Sequence, residues 1–142
     1  MTETKPKAKA KPKQSTKNYF TEKELKCKHT GEYFFDEDFL KTLNKIREEC
    51  GFPFPVSSAC RSPLHPIEQR KQFVGVHTTG KAVDILCRGE DALKLISVAQ
   101  KHGITRIGVQ QKGTGRFIHI DGCTKEDFPD VENYPEVSIW SY

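Results

Sequence analysis

An aspartate interrupts one of the most apolar segments of the chain. Asp84 lies inside the run AVDIL at residues 82–86, a pattern that indicates a largely buried strand. Removing a carboxylate from water is costly unless a cation or several hydrogen-bond donors meet it. His77 lies a short distance upstream, in a segment that ends in Thr and Gly and therefore predicts a loop or turn. The sequence thus requires a positively charged or donor-rich partner for Asp84.

A second pair of polar residues lies in the segment RFIHID, residues 116–121. The two-residue period of a strand places His119 and Asp121 on the same face. Together, His77, Asp84 and His119 offer two imidazoles and one carboxylate, which suit Zn²⁺, and three protein ligands leave a fourth position for water, as in catalytic zinc sites. Spacing alone also permits hydrogen-bonded core histidines and a solvent-facing aspartate.

Helices and strands must bring these distant residues together. Asp36 is suited to cap a helix that carries apolar residues at helical spacing and ends at Gly51. Residues 54–63 predict a short strand that runs into a proline-terminated loop. The other predicted elements are a strand at 81–87, a helix from about Asp91 to His102, and strands at 105–110 and 116–122. This order predicts an α+β domain, with a small antiparallel sheet and helices packed on it.

The distribution of charge divides the 142 residues into two parts. Residues 1–17 contain six Lys and one Glu, separated mainly by Pro and Ala, a composition typical of a disordered segment. The remaining residues carry 17 basic and 18 acidic side chains, so their net charge is close to zero. We predict a disordered Lys-rich arm at 1–17 and a single domain at 18–142. The arm is either a solubilising tail or an electrostatic attachment to an anionic surface or virion partner.

The composition also disfavours several functional classes. No apolar segment approaches the roughly 18 to 20 residues of a membrane span, and the arm lacks the apolar region of a secretory signal. Five cysteines, an odd number without an export signal, argue against a disulfide framework. A nucleic-acid partner is disfavoured because the nearly neutral domain has no basic strip with interleaved aromatic residues.

Four segments match a single known pattern in both order and spacing. They are SSACRSP at 57–63, HTTGKAVDI at 77–85, GITRIGV at 103–109 and RFIHID at 116–121. Taken together, they resemble the zinc D-alanyl-D-alanine carboxypeptidases and L-alanyl-D-glutamate endopeptidases of peptidoglycan. Many of these enzymes are phage endolysins, and their fold is shared with the Hedgehog signalling domain. The resemblance implies a Hedgehog/DD-peptidase-like fold for everything that follows the arm.

The resemblance also implies a role for each matching residue. His77, Asp84 and His119 match the zinc ligands of the family motif, so Zn²⁺ is the implied cofactor. Arg61 matches the motif arginine, which is implied to bind the substrate carboxylate or to stabilise the oxyanion. Its permanent charge and planar set of donors suit either task. Ser58, from the same motif, is implied in substrate binding.

The carboxylate that transfers the proton is where the chain departs from the pattern. Some relatives place Asp or Glu three residues before the last histidine ligand, a position that Arg116 occupies here. Asp121 is the carboxylate available to act as a catalytic general base. Alternatively, Asp121 holds a metal ligand in its orientation without transferring a proton itself.

The implied function is a zinc metallopeptidase that cuts peptidoglycan stem peptides, as a phage lysis enzyme or a virion part that opens the wall. Such a protein is expected to be made in the host cytoplasm without a signal peptide, and to act at the cell wall or reside in the virion. The residues do not distinguish D,D-carboxypeptidase from L,D-endopeptidase activity. The alternative is a non-catalytic, zinc-stabilised structural or wall-binding virion module, which Arg116 and the Lys-rich arm favour.

Overall fold

A single mixed sheet carries the residues singled out by the sequence. A computed structural model describes residues 17–70 and 75–142, so residues 1–16 of the predicted arm lie outside the described residues. The five strands are β1 (Val56–Ser58), β2 (Ala82–Leu86), β3 (Arg106–Gln110), β4 (Phe117–Asp121) and β5 (Ser138–Ser141). Their order across the sheet is β1-β2-β4-β3-β5.

The predicted α+β class is confirmed. Strands β1 to β4 match the four predicted strands, and each is antiparallel to its neighbours among them. β5 was not predicted, and it adds a parallel edge next to β3. This strand is only four residues long, which is too short for its period-two alternation to stand out in the sequence.

Helices flank the sheet and connect its strands. Their bounds are α1 (Glu22–Leu25), α2 (Glu37–Cys50), α3 (Pro66–Gln69) and α4 (Gly89–Lys101), with 3₁₀ turns at Val76–Thr79 and Lys125–Asp127. The two long helices were predicted, and Asp36 caps α2 by accepting a hydrogen bond from the backbone N–H of Phe39 at 2.9 Å. The two single-turn helices are too short for a periodic pattern. None of the helices in the described ranges has the length and apolar character needed to cross a bilayer.

The hydrophobic core explains why the polar residues share one face of the sheet. Val83 and Ile85 of β2 and Ile118 and Ile120 of β4 are fully buried in the core cluster that includes α2 and α4 side chains. Each such isoleucine or valine contributes about 1.5 to 3 kcal/mol through burial. Since side chains alternate along a strand, the residues between them, including Asp84, point to the opposite face.

The turn that carries His77 is packed against the segment preceding α2. Gly80 ends this turn with a φ of 77°, and its carbonyl accepts a hydrogen bond from the backbone N–H of Asp36 at 2.9 Å. A Cβ atom at Gly80 would overlap the carbonyl oxygen of Phe34. Both the left-handed backbone and the close approach therefore require glycine between His77 and Asp84.

Candidate metal centre

Three side chains from three elements converge on the sheet face opposite the core. His77 comes from the 3₁₀ turn before β2, Asp84 from the middle of β2, and His119 from β4, where it lies directly opposite Asp84 in the strand register. One ligand atom from each residue lies within 4.8 Å of the other two. The residues that the sequence selects as zinc ligands are therefore neighbours in the fold.

The ring of His77 is oriented by the backbone of the loop after β1. Its Nδ1 lies 2.7 Å from the carbonyl oxygen of Ala59, which can only accept a hydrogen bond. Nδ1 of His77 therefore carries the proton and donates it. Nε2, with its lone pair free in the neutral ring, lies 3.4 Å from Oδ1 of Asp84. This tautomer presents a nitrogen ligand to the cluster.

His119 lies between two carboxylates. Its Nδ1 is 2.8 Å from Oδ1 of Asp84, and its Nε2 is 2.7 Å from Oδ2 of Asp121. The two carboxylates therefore contact opposite edges of one imidazole, which is 1% exposed. When Nε2–H donates to Asp121, the neutral ring directs the lone pair of Nδ1 toward Asp84 and the cluster.

The electrostatics of the cluster favour a positive charge at this point. Burial disfavours the charged form of His119, but hydrogen bonds to Asp121 and Asp84 outweigh burial and raise its pKa. Burial likewise disfavours charge on Asp84, but the imidazoles of His119 and His77, at 2.8 and 3.4 Å from its Oδ1, hold its pKa far below the usual value. Without a metal, protonation of His119 would place that charge between Asp84 and Asp121. A divalent cation supplies it equally, and two imidazole nitrogens with one carboxylate oxygen are a donor set that fits Zn²⁺.

Asp121 lies inside the protein, on the far side of the His119 ring from the cluster. Its Oδ1 accepts hydrogen bonds from Nε of Arg106 at 2.8 Å and from the backbone N–H of Cys123 at 3.1 Å. Its Oδ2 is occupied by His119, and the residue is 1% exposed. Burial opposes ionisation, yet the hydrogen bond from His119 and the charges of His119 and Arg106 lower the pKa of Asp121. Both oxygens are thus engaged with protein groups.

Arg61 and Ser58 lie next to each other beside the His77 turn. The Arg61 guanidinium donates to Oε2 of Glu68 at 3.1 Å and to Oγ of Ser58 at 3.3 Å. Oε1 of Glu68 accepts the backbone N–H of Gly75 at 2.7 Å, and the backbone N–H of Arg61 donates to the carbonyl of His77 at 3.0 Å. The arginine is therefore tied to the turn that carries a proposed ligand. Arg61 and Ser58 also line one cavity of about 170 Å³.

Arg116 lies three residues before the proposed ligand His119. Its Nε donates to the carbonyl of Gly113 at 2.8 Å, within the turn that joins β3 to β4. The side chain is therefore held by its own turn through this contact.

Three residues near the site were not selected from the sequence. Gly108 of β3 lies in register between His119 of β4 and Trp140 of β5. Because Gly108 has no side chain, the indole of Trp140 reaches across β3, and its ring centroid lies 5.3 Å from that of His119. The third residue is Arg106, the partner of Asp121. An arginine inside the predicted strand TRIGVQ is a charged residue in a strand, as Asp84 is in its own apolar run.

An α+β domain in which two histidines and an aspartate meet at one point has the arrangement of a zinc-dependent enzyme. The family model described as Peptidase M15 matches residues 18–121, more than half of the chain and all three proposed ligands. The chain therefore belongs to the Peptidase M15 family, whose members are zinc-dependent peptidases. A search of curated proteins finds no match to the chain.

Proposed function

We propose that the protein is a zinc metallopeptidase that hydrolyses amide bonds in the stem peptides of peptidoglycan. The observation that carries the proposal is the convergence of His77, Asp84 and His119, with each imidazole already oriented by a hydrogen bond on its other nitrogen. Nε2 of His77, Oδ1 of Asp84 and Nδ1 of His119 would hold the metal. Zinc supplies Lewis acidity there, since it promotes ionisation of water near neutral pH and polarises an amide carbonyl.

In this proposal Asp121 positions His119 and does not act as the general base. Its Oδ2 holds the Nε2–H of His119, and its Oδ1 already accepts two hydrogen bonds. A general base must reach the proton that it removes, either directly or through one water. The burial of Asp121 behind the His119 ring supports the orienting role, which is common for carboxylates that contact a metal-bound histidine.

Arg61 is assigned to the substrate. Its side chain is 20% exposed, so part of the guanidinium faces solvent while Glu68 and Ser58 fix its orientation. A fixed, always-charged group with several planar donors suits either a peptide carboxylate or the oxyanion that develops on the scissile carbonyl. The hydrogen bond from the backbone N–H of Arg61 to the carbonyl of His77 fixes the position of Arg61 relative to the proposed metal ligand.

The proposed setting is a phage lysis enzyme or a virion-associated enzyme that opens the cell wall. Family membership supports the peptidoglycan substrate, and the Lys-rich segment at residues 1–17 supports attachment to an anionic wall or virion partner. The cleaved bond is of the D,D-carboxypeptidase or L,D-endopeptidase type.

A second candidate function is a non-catalytic, zinc-stabilised wall-binding or structural module. Two observations favour it: Arg116 replaces the upstream carboxylate, and the oxygens of Asp121 are engaged with protein groups. Such a module keeps the metal and binds peptidoglycan without cleaving it.

Digestion of purified peptidoglycan separates the two candidates. The zinc-loaded protein is incubated with walls of several stem-peptide types, and the released fragments are analysed by mass spectrometry. Released D-alanine indicates a carboxypeptidase, whereas new amino termini inside the stem indicate an endopeptidase. His77→Ala is the matched control, because it removes a ligand and should release nothing. Wild-type protein at full zinc occupancy that sediments with walls but releases no fragment supports the non-catalytic module.

A further inference from the structure

We propose that Arg106 is a positioning residue for the metal ligand His119 and acts through Asp121. The proposal rests on the zinc site put forward above. Arg106 begins β3 and lies directly opposite Asp121 in the strand register, although the two are far apart in the chain. Its guanidinium makes no hydrogen bond to His77, Asp84 or His119 in the described structure, and its hydrogen-bonded connection to His119 runs through Asp121.

The guanidinium of Arg106 is held on several sides. Its Nε donates to Oδ1 of Asp121 at 2.8 Å, and the two side chains are 9% and 0% exposed. Its Nη1 donates to the carbonyl of Pro135. Its Cζ lies 4.8 Å from the ring centroid of Tyr134 and 5.0 Å from that of Trp140. Two aromatic rings and two acceptors therefore fix the arginine in one orientation.

This fixed arginine determines how Asp121 faces His119. Arg106 and the backbone N–H of Cys123 both use Oδ1 of Asp121, so the carboxylate is pinned and its other oxygen, Oδ2, is directed at Nε2 of His119. The hydrogen bond at Nε2 keeps the proton on that side of the ring. Nδ1 is thereby left with its lone pair toward Asp84, where the metal would bind.

A purely structural ion pair makes a different prediction from a positioning residue. Loss of a structural pair lowers the stability of the fold without a specific effect on the metal. Loss of a positioning residue weakens zinc binding even under conditions where the variant is fully folded, and the effect depends on the presence of Asp121. Zinc affinity therefore distinguishes the two roles without any measurement of catalysis.

The experiment measures the Kd for zinc by competition with a chelator, at a temperature where circular dichroism shows each protein to be folded. Arg106→Gln is expected to weaken binding roughly 10-fold or more, the scale of lost outer hydrogen bonds to a ligand. Arg106→Lys keeps the charge but not the planar Nε contact, so its loss should be smaller than that of the Gln variant. The double variant with Arg106→Gln and Asp121→Asn should have a Kd for zinc no higher than that of whichever single variant binds zinc less tightly.

Ile107→Val is the matched control, because Ile107 is the next residue of β3, is buried, and lies in the core cluster. It should lose stability while keeping the wild-type Kd for zinc. A wild-type Kd in Arg106→Gln overturns the positioning role and leaves the zinc site standing. If the Gln variant does not fold, a wild-type Kd together with a wild-type Co²⁺ absorption spectrum in Arg106→Lys overturns it. Wild-type protein that binds no zinc overturns both this inference and the proposed function.

Discussion

Replacing Asp121 with Asn changes the atoms behind His119 while keeping the shape of the side chain. An amide can satisfy one set of neighbours only at the expense of the other. If its NH₂ group faces Arg106 and Cys123, donors meet donors at the position of Oδ1. If its carbonyl faces them, the NH₂ group points at Nε2 of His119, which must then accept and carry its proton on Nδ1 instead. That proton occupies the nitrogen proposed to bind zinc.

The expected magnitude has two parts. Loss of the outer hydrogen bond to a metal-binding histidine weakens metal affinity by roughly 10- to 100-fold. Breaking a buried ion pair by removing one charge costs about 3 to 5 kcal/mol, and the pair between Arg106 and Asp121 is nearly inaccessible to solvent. Asp121→Asn should therefore bind zinc about 10- to 100-fold more weakly and unfold at a lower denaturant concentration even without metal.

The assay combines zinc titration against a chelator with denaturant unfolding of the zinc-free protein. Asp127→Asn is a matched control, since it makes the same chemical change in the 3₁₀ turn that follows β4. The Asp127 carboxylate pairs with Lys81, which is partly exposed, and caps a 3₁₀ turn, so the variant should show a smaller loss of stability and a wild-type Kd for zinc. Asp121→Asn that binds zinc as tightly as wild type but loses turnover roughly 10²-fold refutes the positioning role and identifies a general base.

Three further predictions concern Arg61, the Lys-rich segment and pH. Arg61→Ala should retain zinc. If Arg61 stabilises the oxyanion, the variant should lower kcat on peptidoglycan fragments by roughly 10²-fold or more, whereas an unchanged kcat with a raised KM assigns Arg61 to the substrate carboxylate. Deleting residues 1–17 should leave Tm nearly unchanged and weaken adhesion to walls at low salt, whereas a large fall in Tm shows that the segment is packed. The raised pKa of His119 means that protonated His119 stabilises the folded, zinc-free protein. This contribution is fully present when the pH is below 6.5, the ordinary pKa of histidine. That contribution is lost as pH rises through the folded-state pKa, so thermal scans should show a falling Tm, and a constant Tm contradicts it.

The local pattern of the chain was enough to predict the strands that carry the cluster. The period of two in RFIHID places His119 and Asp121 on one face, and the structure shows this arrangement. The interruption of an apolar strand by Asp84 indicated a partner, because a partly buried carboxylate needs donors, and both histidines contact it. These inferences succeed because side-chain alternation in a strand is a local property.

The surroundings of the cluster depend on pairing between distant strands, which no local pattern specifies. Arg106 meets Asp121 only through the register of β3 against β4. Trp140 reaches His119 only because β5 adds to the sheet edge and Gly108 leaves the space between them open. For the same reason, the sequence does not decide whether Asp121 is a general base or a residue that orients His119, because the burial of Asp121 depends on these partners.

Zinc content tests the central claim most directly. Protein purified without chelator and analysed by elemental mass spectrometry should contain about one zinc per chain, because three ligands converge on one site. His77→Ala and His119→Ala should each lose most of that zinc and melt at a lower temperature, since bound metal adds its binding energy to the stability of the fold. Full zinc occupancy in both variants would contradict the assignment of His77, Asp84 and His119 as the metal centre.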